Sequence, residues 1–159
     1  MQIKFLGGEK FEIKTKSATI DLGYTVSIDK FVLPGPGEYE KSGVIVHGIQ
    51  DESNAIYVIR AEELNICYLG KIGHLLKEDE IKEIGNIDIL FLPLGEDGSV
   101  KIKEALTMLS KIDPFCVIPM LYTDIAEFTA AEKATSVDLL KIKKSDLPVE
   151  GRVAYVLES

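Results

Sequence analysis

The sequence predicts a single α/β domain: a mixed sheet covered by helices. Three observations carry that class. From residue 2 to residue 69 the chain is a succession of short runs with strand-like alternation. After residue 76 it switches to continuous apolar runs, the pattern of strands buried on both faces. Between those runs the apolar residues are spaced as on helices, and buried strands flanked by helices build layered α/β architectures.

Taken in order, Gln2–Leu6, Lys10–Lys14 and Ala18–Leu22 read as a meander broken by Gly-Gly and by a Lys/Ser turn. Phe31–Leu33 follows. Residues 34–43, "PGPGEYEKSG", hold two prolines and three glycines, so a shaped loop without a regular element is expected there. Gly43–Ile49, Ala55–Ala61 and Leu64–Leu69 give three more strands, with "QDESN" (50–54) and "EE" (62–63) as turns. Lys77–Ile84 spaces Ile81 and Ile84 by three, and Gly85 suits a helix C-cap. Ile87–Leu94 is a buried strand. Val100–Ile112 sets Ile102, Leu106, Leu109 and Ile112 on one helical face, and Pro114 stops it. Phe115–Met120 is another buried strand, Asp124–Ala134 a helix, and Asp138–Ile142 and Arg152–Leu157 are closing strands. No repeat or linker divides residues 1–159, so one domain is expected.

The bulk numbers exclude several function classes. Hydrophobic residues are 46% of the chain and charged ones 28%, an ordinary globular composition. The longest apolar runs are strand-sized, far short of the roughly 20 residues that span a bilayer. The alternating N-terminus lacks the apolar block of a secretion signal, which points to the cytoplasm. Cys67 and Cys116 sit inside apolar runs and read as buried thiols of a reducing compartment rather than redox or metal groups. A net charge of −8 repels a phosphate backbone, and no basic cluster reverses it, so nucleic acid is disfavoured.

Few residues announce chemistry. There is no Walker loop, nucleophile elbow, HExxH or CxxC pair. With only His47 and His74, a three-ligand catalytic zinc site would need cysteine or carboxylate help. His47 alternates with apolar residues and reads as a satisfied strand histidine. His74 either caps or packs, or belongs to a site with its neighbours in "ICYLGKIGH" (66–74), where Tyr68 and Lys71 also stand. Glu38 in the Pro/Gly loop, and Glu96–Asp97 beyond the strand Ile87–Leu94, are carboxylates at strand ends, where sheet enzymes keep reactive groups. Asp97 before Gly98 could equally stabilise a turn.

The order of "IKFLGGEKFEIK", "VLPGPGEYEKSGVIVHGI", "NAIYVI", "ICYLGKIGH", "IDILFLPLG" and "PFCVIPMLY" resembles short proteins of the metallo-β-lactamase superfamily. The likeness covers about residues 1–122 and is nearest the Zn-dependent hydrolases of the β-lactamase fold, a branch with lactonase-like members. It implies a truncated αββα sandwich with a metal pocket at one edge. It also implies where metal ligands would stand, and this chain departs at each such place. Gly8 replaces the histidine of a "LGHSCF"-like segment, and no H-x-H-x-D-H loop follows Ala18–Leu22. No histidine follows "GI" in "GIQDESNAIYVI". Lys71 stands where a metal-bridging aspartate is expected, and Leu121 where "VIPMHY" carries its histidine. A lysine ammonium repels divalent cations, and leucine has no lone pair.

A metal-free, non-catalytic protein acting in binding, assembly or regulation is therefore expected, with no cofactor. Glu38, Tyr68, Lys71, His74, Asp97 and Leu121 mark its vestigial pocket. The alternative is a metal-independent hydrolase around Lys71, whose amine would bind an anion or act as a base if burial lowered its pKa. Loss of the ligand loop should uncover apolar surface, so a homo-oligomer, dimer or larger, is expected, with a protein partner as a further possibility and no membrane association.

Overall fold

The computed structural model describes residues 1–52 and 54–159. The first five strands, β1 (Gln2–Gly7), β2 (Lys10–Lys14), β3 (Thr19–Leu22), β4 (Ser27–Ile28) and β5 (Phe31–Val32), form an antiparallel meander. A second meander contains β6 (Gly37–Lys41), β7 (Val44–Asp51), β8 (Asn54–Ala61) and β9 (Leu64–Tyr68). Then come α1 (Glu78–Ile84), β10 (Ile89–Pro93), α2 (Ile102–Ile112), β11 (Cys116–Met120) and α3 (Ala126–Glu132). The chain closes with β12 (Thr135–Val137), β13 (Leu139–Lys141) and β14 (Val153–Leu157). One sheet runs β13-β1-β2-β3-β4-β5 and the other β12-β14-β11-β10-β9-β8-β7-β6.

The expected shaped loop at 34–43 is corrected by β6. Proline and glycine breakers stop at Gly37, and from Glu38 the backbone is free to pair with β7, Glu38 against His47 and Lys41 against Val44. Ser42 and Gly43 join the two strands with φ of 52° and 80°, the geometry of a two-residue hairpin turn. The "EE" turn is of the same kind, with Glu62 at φ 50° and Glu63 at φ 67°. Of the expected 50–54 turn, Gln50 and Asp51 lie in β7 and Asn54 opens β8, while Ser53 lies outside the described residues. The short strands β4 and β12 were not legible as separate elements.

Two apolar layers hold the sheets and helices together. Ile3, Phe11, Ile13 and Ile20 of the six-stranded sheet meet Val44, Val46, Ile59, Ile66 and Phe91 of the other. Phe11 and Phe91 pack edge to face with centroids 4.7 Å apart. On the opposite face of the eight-stranded sheet, Ile56, Cys67, Leu90, Leu92 and Val117 pack against Ile84, Met108, Leu109 and Phe128 of the helices. The run in β10 is continuous because its residues alternate between these layers: Ile89 and Phe91 inward, Leu90 and Leu92 toward the helices. Emptying such a site, as in Phe91→Ala, costs about 3–5 kcal/mol.

The architecture is thus the truncated sandwich. Among the described residues the helical layer covers only the eight-stranded sheet, while Gln2, Lys4, Lys10 and Lys14 leave the outer face of the six-stranded sheet to solvent. No described helix is long and apolar enough to cross a membrane.

Candidate functional site

Strands β9, β10 and β11 run parallel and in step, with Tyr68 opposite Phe91 and Pro93 opposite Met120. Their carboxyl ends therefore open at one edge of the sheet, the place where parallel sheets offer a crevice. Three loops leave from there, carrying Lys71, Asp97 and Leu121. They are tied together: the Glu96 amide donates to the Leu121 carbonyl at 2.8 Å and the Val100 amide to the Ile72 carbonyl at 2.8 Å. The β1–β2 turn closes the edge from the other sheet, where the Leu121 amide donates to the Gly8 carbonyl at 3.3 Å.

Between the sheets at this edge lies a cleft of about 380 Å³. Glu9, Tyr24, Tyr57, Tyr68 and Lys71 line it, with the Leu33–Pro36 segment as one wall. That wall presses on Gly48 of β7. A Cβ there would meet the Gly35 carbonyl and Pro36 Cα, both at 3.2 Å, so only glycine leaves room. The Tyr39 hydroxyl donates to the Gly35 carbonyl at 2.7 Å and fixes the wall's other end.

Lys71 is the charged centre of the cleft. Its Nζ forms a close ion pair with Asp97 and a second with Glu9 Oε1 at 3.7 Å. The Asp97 hydrogen bond, and then the Glu9 charge, hold the lysine above its ordinary pKa. Asp97 reaches it from a left-handed turn at φ 56°. Asp97 thus stands in the turn before Gly98 and extends its carboxylate to Lys71. Tyr68, 2% exposed, donates its hydroxyl to the Glu9 carbonyl at 2.7 Å, with the Gly23 carbonyl at 3.4 Å. Burial pushes its phenol well above the usual tyrosine range.

Of the sequence candidates, Tyr68, Lys71, Asp97 and Leu121 meet at this edge. Glu38 and His74 do not. Glu38 lies in β6, exposed, with Oε1 3.7 Å from His47 Nδ1 on the helix side. His47 Nε2 in turn faces Glu83 of α1 at 3.2 Å. His74 turns away from Lys71 and sets Nε2 2.8 Å from Asp51 Oδ1, while its Nδ1 donates to the Leu75 carbonyl at 2.8 Å. That donation, with Asp51 close by, raises the His74 pKa, and desolvation raises that of Asp51. Strand alternation explains the split. Gln50 faces the cleft and Asp51 the helices.

Sequence reasoning passed over Glu9 and Asp51. Glu9 had a signal: it follows Gly7 and Gly8, which turn at φ 104° and 61° and aim the next side chain across the sheet edge. Asp51 had none, because its partners come from a distant loop and helix.

The residues here do not fit the two-metal centre that the resemblance implies. At the positions set for ligands the structure brings Gly8, Lys71 and Leu121 together. The carboxylates nearest, Glu9 and Asp97, are already engaged by an ammonium.

The family described as the β-lactamase superfamily domain matches residues 7–121. Two solved structures share the fold. One, from Thermotoga maritima, is described as a Zn-dependent hydrolase of the metallo-β-lactamase superfamily. It aligns at a TM-score of 0.83 and 22% identity over 99% of this chain and 100% of that one. The other is described as a metallo hydrolase of the archaeon Ignicoccus hospitalis, with a TM-score of 0.68 and 11% identity over 98% and 94%.

Proposed function

The chain belongs to the β-lactamase superfamily, and within it we propose a protein that works by binding in the cleft, without metal-assisted hydrolysis. One observation carries the reading: the Lys71 ammonium sits between Asp97 and Glu9 where a metal-holding carboxylate is expected. A metal there would have to displace a paired cation and work without histidine. The tyrosine-lined walls and the three charged groups suit a small polar ligand.

The metal-independent hydrolase reading loses its main support at the same residue. A lysine serves as base or Schiff-base amine when its pKa is lowered, and here both carboxylates raise it. For assembly, Tyr24, Phe31 and Val32 stand 90%, 52% and 52% exposed, and β5 leaves a free sheet edge beside them. That surface supports self-association, which sedimentation at micromolar concentration would measure. Two buried free thiols suit a reducing cytoplasm.

A hydrolase screen over lactones, thioesters and phosphodiesters, run with chelator and with added Zn²⁺, tests the reading. Wild type should show no turnover above that of Lys71→Ala. Turnover that Lys71→Ala or Glu9→Gln abolishes would overturn it.

A further inference from the structure

Behind the eight-stranded sheet, on the face opposite the cleft, three side chains from distant segments converge. They are Asp51 at the end of β7, His74 in the loop after β9, and Glu80 in α1. One donor atom of each lies within 4.8 Å of the others, the one such grouping of three among the described residues. Asp51 is 4% exposed. A fourth donor is near, since Glu52 Oε1 lies 3.8 Å from His74 Nε2.

Two features set this group apart from a solvated acidic patch. The first is the orientation of the imidazole. A carbonyl only accepts, so the contact to Leu75 places a hydrogen on Nδ1 and turns Nε2 to the carboxylates. Metal-bound histidines are held in that manner, with the far ring nitrogen donating to a carbonyl or carboxylate. The second is charge. Asp51, Glu52 and Glu80 gather with no lysine or arginine paired to any of them among the described residues. His74 is the basic group facing Asp51, the one buried carboxylate of the three, and Glu80 Oε1 also accepts from the Lys77 amide at 3.0 Å. The Glu38–His47–Glu83 set is a useful contrast: Nε2 faces Glu83 at 3.2 Å, but His47 Nδ1 has no hydrogen-bond partner, so no carbonyl holds the far side of that ring.

We propose that Asp51, His74 and Glu80, with Glu52 in reach, form a binding site for one divalent metal of the zinc class. One imidazole with carboxylate oxygens suits borderline cations better than Ca²⁺ or Mg²⁺, which prefer all-oxygen shells. The metal would join the end of β7 to the loop that carries Lys71 and to α1, which follows that loop in the chain. Its role is to clamp the scaffold behind the cleft. The inference stands apart from the binding role proposed for the cleft, which shares none of these ligands.

The test uses the full chain, freed of metal by chelator and titrated with Zn²⁺ by calorimetry, with thermal midpoints followed in parallel. Wild type should bind one equivalent and melt higher with Zn²⁺. His74→Ala and Glu80→Gln should each weaken binding at least about tenfold, the least that removing even an outer-shell partner of a metal ligand costs, and His74→Ala should lose the thermal gain. Asp51→Asn is buried and could fail to fold, so the test relies on the other two variants. His47→Ala should bind as wild type. No stoichiometric binding, or binding that survives His74→Ala, would overturn the proposal. So would binding lost in His47→Ala. Loss in Glu9→Gln alone would place the metal in the cleft, overturning this site and counting against the binding role as well.

Discussion

Removing a single oxygen, as in Tyr68→Phe, isolates how the cleft is held together. The Tyr68 hydroxyl donates to the Glu9 carbonyl at 2.7 Å, across 59 residues of sequence. It thereby fixes the β1–β2 turn that presents Glu9 to Lys71. The ring itself packs edge-on to Phe91 at 6.0 Å, and phenylalanine would keep that contact. What is lost is one bond and the satisfaction of a half-buried carbonyl, about 1–2 kcal/mol. In a chain of this size that lowers the thermal midpoint by about 2–8 °C. Tyr68→Ala, which also empties the ring site, should cost about 3–5 kcal/mol. Urea denaturation would read both, with the slope unchanged and the midpoint shifted. A Tyr68→Phe loss under about 0.3 kcal/mol, well below a net hydrogen bond, would refute the role given to the hydroxyl. Equal losses for the two variants would refute the separation of bond from packing.

Other outcomes follow from the same geometry. Burial raises the Cys67 thiol far above its usual range and pushes Cys116 up to about 12, so neither should react with a thiol reagent at pH 8 until the chain unfolds. Asp88, 4% exposed, accepts from the Asn65 amide at 2.7 Å and pairs with Lys144 at 2.8 Å. Asp88→Ala should therefore cost about 2–3 kcal/mol in denaturant unfolding, since the part-buried Asn65 amide loses its charged acceptor. Glu63→Gly should stabilise by about 0.5–1 kcal/mol, because it relieves a left-handed backbone in a turn that favours glycine. Donation from Ser42 and then from the Thr19 amide lowers the Asp29 pKa, so its contribution is complete above the unfolded carboxylate value and is lost as pH falls through the folded one. An NMR titration should show that value rise in Ser42→Ala.

How much was legible in the sequence depended on how local the cause was. Strands and helices were readable where the apolar period was unbroken, as in Ile87–Leu94 and Lys77–Ile84. The segment 34–43 was misread because prolines and glycines were weighed over its whole length. Only the first four residues break the chain, and Ser42–Gly43 make a hairpin that aids pairing. Lys71 and Asp97 were legible as strand-end residues, and parallel register brought them together. Glu38 and His74 were misplaced for one physical reason: in a strand or its flanking loop, one residue's shift changes the face, and sequence distance does not say which face holds the cleft.

The most direct test of the binding account is the titration of the Lys71 ammonium by NMR, assigned with Lys71→Arg. The account predicts an amine that titrates above the ordinary lysine value of about 10.4 and stays protonated through neutral and mildly alkaline pH. An amine that titrates well below that value would contradict the account, since it would be free to act as a base and the cleft would again be a place for catalysis.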